Sequence, residues 1–69
     1  MSVIKIVEVI GSSPKSWDEA AKNALAETAE TVRNIKSIDV KRMTAKVEKS
    51  KIVEYRAVVR IAFEVQREI

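Results

Sequence analysis

The residue types of this chain exclude most catalytic chemistry. Its 69 residues include no histidine and no cysteine, which removes the commonest general base and the commonest ligands of transition metals. No motif supports a serine–lysine dyad. Asp39 with Glu54 or Glu64 offers a carboxylate pair, but charges that alternate along a strand are more typical of a solvated face. We therefore predict that the protein is not an enzyme.

Acidic side chains are the main metal ligands that remain. Carboxylate oxygens suit hard cations such as calcium. The spacing of the acidic residues along the chain matches no known calcium-binding loop, so the sequence leaves the metal ligands undetermined. The candidates are Glu8, Asp18, Glu19 and Asp39.

The basic residues do not predict nucleic acid as a partner. The chain has 13 basic and 10 acidic residues, a net charge of +3, and the two signs are interspersed, which favours a solvated or salt-bridged surface. Acidic residues also lie between the four basic residues that can align on one sheet face, whereas a nucleic-acid site needs clustered cations. These four are Arg42, Lys46, Arg56 and Arg60. No apolar run approaches the roughly 20 residues that span a bilayer, so no membrane partner is expected.

One stretch has a helical period. Ser13–Ile35 repeats apolar residues at helical spacing, and Ser16 with Glu19 has the spacing of a capping box. The apolar stripe is mostly alanine, which permits close approach to a sheet. Trp17 at the start of the helix is interpreted as a packing anchor in preference to a stacking surface for a ligand. Residues 11–14, with the only glycine and the only proline, are interpreted as a connector in which Gly11 can supply a positive φ.

Three further segments predict strands at 2–10, 37–48 and 52–66, with a hairpin turn near 49–51. In the second strand, alternation places one set of side chains together: Ile38, Val40, Arg42, Thr44, Lys46 and Glu48. The other set is Asp39, Lys41, Met43, Ala45 and Val47. The third strand has an unbroken apolar face of Val53, Tyr55, Ala57, Val59, Ile61, Phe63 and Val65.

These elements predict one α+β domain over residues 1–69, in the order β-α-β-β, with a three-stranded antiparallel sheet and the helix on one face. Both faces of the first strand are largely apolar, and the third strand would be near 45 Å long. One helix can cover only one face of such a sheet, so we expect a homo-oligomer. The start of the chain does not match a signal peptide, and the lack of cysteine makes a cytoplasmic location the default expectation.

The stretches VIKIVEVIGSSPKSWDEAAKNAL and EYRAVVRIAFEV together resemble the dodecins. In that family a strand ends in G[ST]S, a helix follows, and the last strand carries Y-x-[VA]-x-[VL]-x-[VI]-x-F. Here these positions are Gly11 to Ser13, the helix from Trp17, and Tyr55 to Phe63. The resemblance spans essentially the whole chain. It implies a sheet wrapped partly round one helix and twelve subunits in a hollow shell.

The resemblance also implies a function, namely storage or buffering of flavins such as FMN or riboflavin without catalysis. Flavin-binding members stack the ring on a tryptophan at the start of the second strand and hydrogen-bond it through a glutamine after the tyrosine of the third. Here those positions are Ser37 and Arg56, and both depart from the pattern. A branch without the tryptophan, with SPxSW at the helix start, is the closer match, and for it calcium binding is implied. Three hypotheses stay open: a shell that binds a small ligand or ion without flavin stacking, retained flavin binding through Arg56, and a purely structural or interaction shell.

Overall fold

The structure is a computed structural model that describes residues 2–66. Strand β1 (Ser2–Ser13) is followed by helix α1 (Trp17–Ala29) and by the hairpin of β2 (Ile35–Glu48) and β3 (Lys51–Gln66). The sheet order is β1-β3-β2, and both pairings are antiparallel. The predicted β-α-β-β architecture is therefore confirmed, with the strands one to three residues longer than expected.

Helix α1 is much shorter than the predicted Ser13–Ile35. It has 13 residues, about three and a half turns. The C-terminal limit was wrong because Ile35 belongs to β2, where it packs beside the core, and because β-branched residues follow Glu27 and are poorer helix formers. Asn34 has a φ of 61°, which reverses the chain into β2, and its carbonyl oxygen accepts a 3.0 Å hydrogen bond from the Glu64 amide.

Half of the predicted capping box forms. The Ser16 hydroxyl accepts a 3.0 Å hydrogen bond from the Glu19 amide. The Glu19 carboxylate does not return this bond to Ser16 but accepts a 3.0 Å hydrogen bond from the hydroxyl of Ser13. That hydroxyl is buried and also accepts from the Lys15 amide at 2.9 Å. A serine network therefore fixes the connection between β1 and α1.

The core lies between α1 and one face of the sheet, which we call the helix face. Its buried side chains are Ala20 and Ala24 of α1 with Ala57, Val59 and Ile61 of β3, so the central part of the predicted apolar face of β3 is confirmed. The predictions of a connector that begins at residue 11 and of a positive φ at Gly11 are wrong, because β1 continues to Ser13 and Gly11 is a buried residue within it. A Cβ atom there would lie 2.1 Å from the carbonyl oxygen of Ala20. Glycine is needed for the close approach of helix and strand.

The pattern of β2 is broken by a bulge, which overturns the predicted alternation. Val40 pairs with Val59, but Arg42 rather than Lys41 pairs with Val58. The extra residue shifts the side-chain order by one. The β2 residues opposite the helix-face side chains of β3 are therefore Ile38, Val40, Met43 and Ala45. The bulge thus joins apolar residues that strict alternation assigns to different faces.

The hairpin turn is tight despite its sequence. Lys49 and Ser50 both have positive φ, at 52° and 63°, as in the two-residue type I′ turns that match strand twist. Asparagine and glycine normally occupy such positions, so the lysine and the serine are held there by the long β2–β3 pairing.

The second face of the sheet, which we call the open face, has no layer of secondary structure within residues 2–66. On β1 it carries Ile4, Ile6 and Ile10, whose exposures are 54%, 61% and 67%. The whole structure measures 57 × 19 × 13 Å, so the sheet is long and thin. Within residues 2–66, no helix has the length and apolar character to span a membrane.

Candidate functional site on the open face

The open face consists of the side chains that alternate with the buried helix-face residues. Its cross-strand rows follow from the register of the three strands. One row joins Ile6, Ala62 and Ser37, and the row two positions along β3 joins Glu8, Arg60 and Asp39. The face therefore mixes aliphatic side chains on β1 with charged side chains on β2 and β3.

Ser37, the first of the two predicted site residues, lies near the start of β2. It is exposed and faces Ala62, with Ile6 beyond. The register shifts between Ile35 and Ser37, so the strand is irregular here. The row contains only small and aliphatic side chains, and it offers no flat π surface for a ring.

Arg56, the other predicted site residue, is exposed between Ser12 of β1 and Thr44 of β2. Its Nε atom donates a 2.6 Å hydrogen bond to Oε2 of Glu54. Since Ser37 pairs with Ala62, six residues along β3 from Arg56, the two positions are about 20 Å apart. One protomer does not bring them together, so a site that uses both must draw on at least two protomers.

A charged cluster at Glu8 links all three strands. Lys41 Nζ and Arg60 Nε each donate to Oε1 of Glu8 at 3.3 Å. The hydrogen bond from Arg60, followed by that from Lys41, lowers the pKa of the Glu8 carboxyl below its ordinary value because both favour its charged form. Alternation along β1 places Glu8 on the same face as Ile6 and Ile10, but the partners of Glu8 depend on the sheet order and on the bulge, which no local pattern reveals.

Trp17 is a packing anchor, as predicted. Its Nε1 atom donates a 2.8 Å hydrogen bond to the carbonyl oxygen of Thr44. Its ring meets Tyr55 edge to face, with centroids 4.8 Å apart and planes at 81°. These contacts attach the start of α1 to the β2–β3 hairpin, and both of them are contacts of the indole with other residues of the chain.

The four candidate metal ligands are not brought together. Within residues 2–66, no group of three or more acidic residues is positioned to hold a metal ion. Glu8 pairs with two cations, Asp18 forms a 3.1 Å ion pair with Lys22, and Glu19 accepts from Ser13. A calcium site built from these carboxylates would need ligands from more than one protomer.

A short helix packed on a three-stranded antiparallel sheet, with an open second face, defines a class of small β-α-β-β proteins. The sequence model of the dodecin family matches residues 3–66, and the chain belongs to that family. It is 30% identical over 66 residues to calcium dodecin of Mycobacterium tuberculosis, covering 96% of this chain and 93% of that protein.

Solved structures agree in fold. An arginine-to-alanine mutant of the Thermus thermophilus dodecin has a TM-score of 0.92 at 27% identity, covering 97% of this chain and all of that one. A crystal structure of calcium dodecin from Mycobacterium tuberculosis, described as calcium chelating with a novel calcium-binding site, has a TM-score of 0.82 at 27% identity. It covers 97% of this chain and 96% of that one.

Proposed function

We propose that this protein is a non-enzymatic, homododecameric dodecin that binds and stores a small ligand in the cytoplasm without flavin stacking of the usual kind. The observation that carries the proposal is the family match over residues 3–66 combined with serine at position 37, where a stacking ring would be needed. The exposed isoleucines of the open face support assembly, because large uncovered apolar areas commonly mark interfaces.

Light scattering coupled to size-exclusion chromatography tests the assembly. We expect a particle with twelve times the mass of the chain. A monomer or dimer at micromolar concentration would contradict the proposal, since it would leave the exposed isoleucines of β1 uncovered.

Restoring the missing groups tests why flavin stacking is lost. Ser37→Trp with Arg56→Gln should create or tighten binding of FMN or riboflavin. A stacked ring contributes about 1–3 kcal/mol by analogy with stacked bases, or about fivefold to 150-fold in Kd. Quenching of flavin fluorescence measures the Kd. The Arg56→Gln single variant is the control, because it lacks the indole ring introduced at position 37. Unchanged affinity in an intact dodecamer would show that the pocket differs elsewhere, whereas strong quenching by the unmodified protein would establish retained flavin binding instead.

Calcium is the second candidate ligand, favoured by the relative named calcium dodecin at 30% identity. Within residues 2–66 no three carboxylates lie close enough to hold the ion, so we propose that a calcium site combines carboxylates from more than one protomer. Calorimetric titration with calcium chloride, with magnesium chloride as the matched control, should give saturable heat for calcium in the assembled protein. Absence of binding for calcium and flavins alike would favour the third interpretation, a structural or interaction shell.

A further inference from the structure

The bulge in β2 brings two consecutive cations to the same face. In a regular strand Lys41 and Arg42 would point to opposite faces. Here Lys41 reaches Glu8 on the open face, and Arg42 pairs with Val58, an open-face residue of β3. Bulges commonly re-aim a side chain in this way.

Two further arginines surround the same point. Arg56 and Arg60 lie two residues either side of Val58 on β3, so both are diagonal neighbours of Arg42, with Cα atoms about 7–8 Å away. We call Lys41, Arg42, Arg56 and Arg60 the cation group. Its members surround Val58, which is half-buried and forms an apolar floor.

The carboxylates around the cation group do not fully neutralise it. Glu8 is shared by Lys41 and Arg60, and Glu54 pairs with Arg56. Asp39 lies directly opposite Arg60. These three carboxylates face four cations, and Arg42 forms no ion pair with any carboxylate of residues 2–66.

We propose that Arg42, supported by the rest of the cation group, binds the phosphate group of a small anionic molecule on the open face. A guanidinium presents a planar fork of donors that matches phosphate oxygens in pairs. The Glu8 carboxylate holds Lys41 and Arg60 beside the site, so they contribute positive potential without having to be ordered on binding. The site lies within one protomer and depends on neither flavin nor calcium, so it goes beyond the proposed function.

Calorimetric titration of the full chain with sodium pyrophosphate tests this site, in buffers whose ionic strength is matched with chloride. We expect saturable binding that Arg42→Gln weakens about tenfold or more, as loss of a charge-assisted hydrogen bond predicts. Lys46→Gln is the matched control, because it removes the same charge from the same strand at a residue paired with Glu48. It should change the affinity less than twofold, and size-exclusion profiles should show that both variants assemble normally.

The source of the phosphate is separated by two further titrants. Binding of ribose 5-phosphate with an affinity like that of pyrophosphate supports a phosphate ester as the ligand, whereas binding of pyrophosphate alone supports an inorganic phosphate. The proposal is overturned if neither pyrophosphate nor ribose 5-phosphate binds saturably. It is also overturned if Arg42→Gln and Lys46→Gln lose affinity equally, because the effect would then be due to net charge. Equal binding of uncharged ribose overturns it as well.

Discussion

Glu8 lies among exposed isoleucines on β1, yet its carboxylate joins the three strands through Lys41 and Arg60. Single exposed ion pairs contribute little to stability. A carboxylate that accepts from two other strands ties β1 to both strands of the β2–β3 hairpin.

The acid stability of the fold should depend on Glu8. Its folded-state pKa is lowered, so its stabilisation is present above the pKa of the unfolded chain and is lost as the pH falls through the folded value. Glu8→Gln should therefore lower the thermal midpoint at pH 7, and the difference from the unmodified protein should shrink as the pH falls below about 4.

Thermal melts between pH 7 and pH 3 measure this difference. At pH 7, Glu48→Gln is the control, since Glu48 pairs with Lys46 of its own strand, and it should lower the midpoint less. A Glu8→Gln difference that stays constant across this range would contradict the prediction.

At the residue scale, the sequence predicted roles that depend on neighbouring residues. Ser16 and Glu19 are three residues apart, so the cap was predictable. The partners of Glu8 lie on other strands, and the pairing of Arg56 with Glu54 depends on the side-chain rotamers. Alternation along a strand determines neither.

At the scale of elements, the contact between β1 and α1 depends on the absence of a side chain at Gly11. Gly11→Ala would place a Cβ 2.1 Å from the Ala20 carbonyl oxygen and 2.8 Å from the Ala24 Cβ. Backbone must move, so we expect a loss of about 3 kcal/mol in the free energy of unfolding. Urea denaturation measures it. Ser12→Ala, at the adjacent exposed position, should change stability by less than about 0.5 kcal/mol, and equal losses would contradict the steric explanation.

Relief of backbone strain in the β2–β3 turn should make the fold more stable. Ser50 has a φ of 63°, a conformation that glycine adopts without steric cost. Ser50→Gly should raise the free energy of unfolding by about 0.5–1 kcal/mol, the net of relieved strain and extra chain entropy. Urea denaturation again provides the measurement. Ser50→Ala also removes the hydroxyl but keeps the Cβ atom, so a gain from that variant would point to a cause other than φ.

The order and type of the elements were predictable because strands and helices differ in apolar period. Two details were not. The end of α1 was placed at Ile35 because a helical pattern continued by chance into β2. The faces of β2 were assigned wrongly because a bulge breaks the alternation without any sequence mark such as glycine.

At the scale of the whole molecule, the buried core of residues 2–66 consists of three alanines, one valine and one isoleucine. A chain of this size is often marginal alone. We expect the thermal midpoint to rise with protein concentration, since association stabilises the folded state by mass action. Calorimetry over a hundredfold concentration range measures it. A midpoint independent of concentration would indicate that the single chain supplies all of its own stability.

The bulge in β2 has a consequence for insertions and deletions in the chain. A one-residue deletion in a regular strand turns over every side chain that follows it. Deletion of Lys41 would instead leave Val40 opposite Val59 and Arg42 opposite Val58, so the ladder from Ile38 to Lys46 would become regular while residues 42–46 kept their present partners. Position 41 is therefore a place where the length of the strand can change by one residue while both of its faces stay the same, with loss of the Lys41–Glu8 contact.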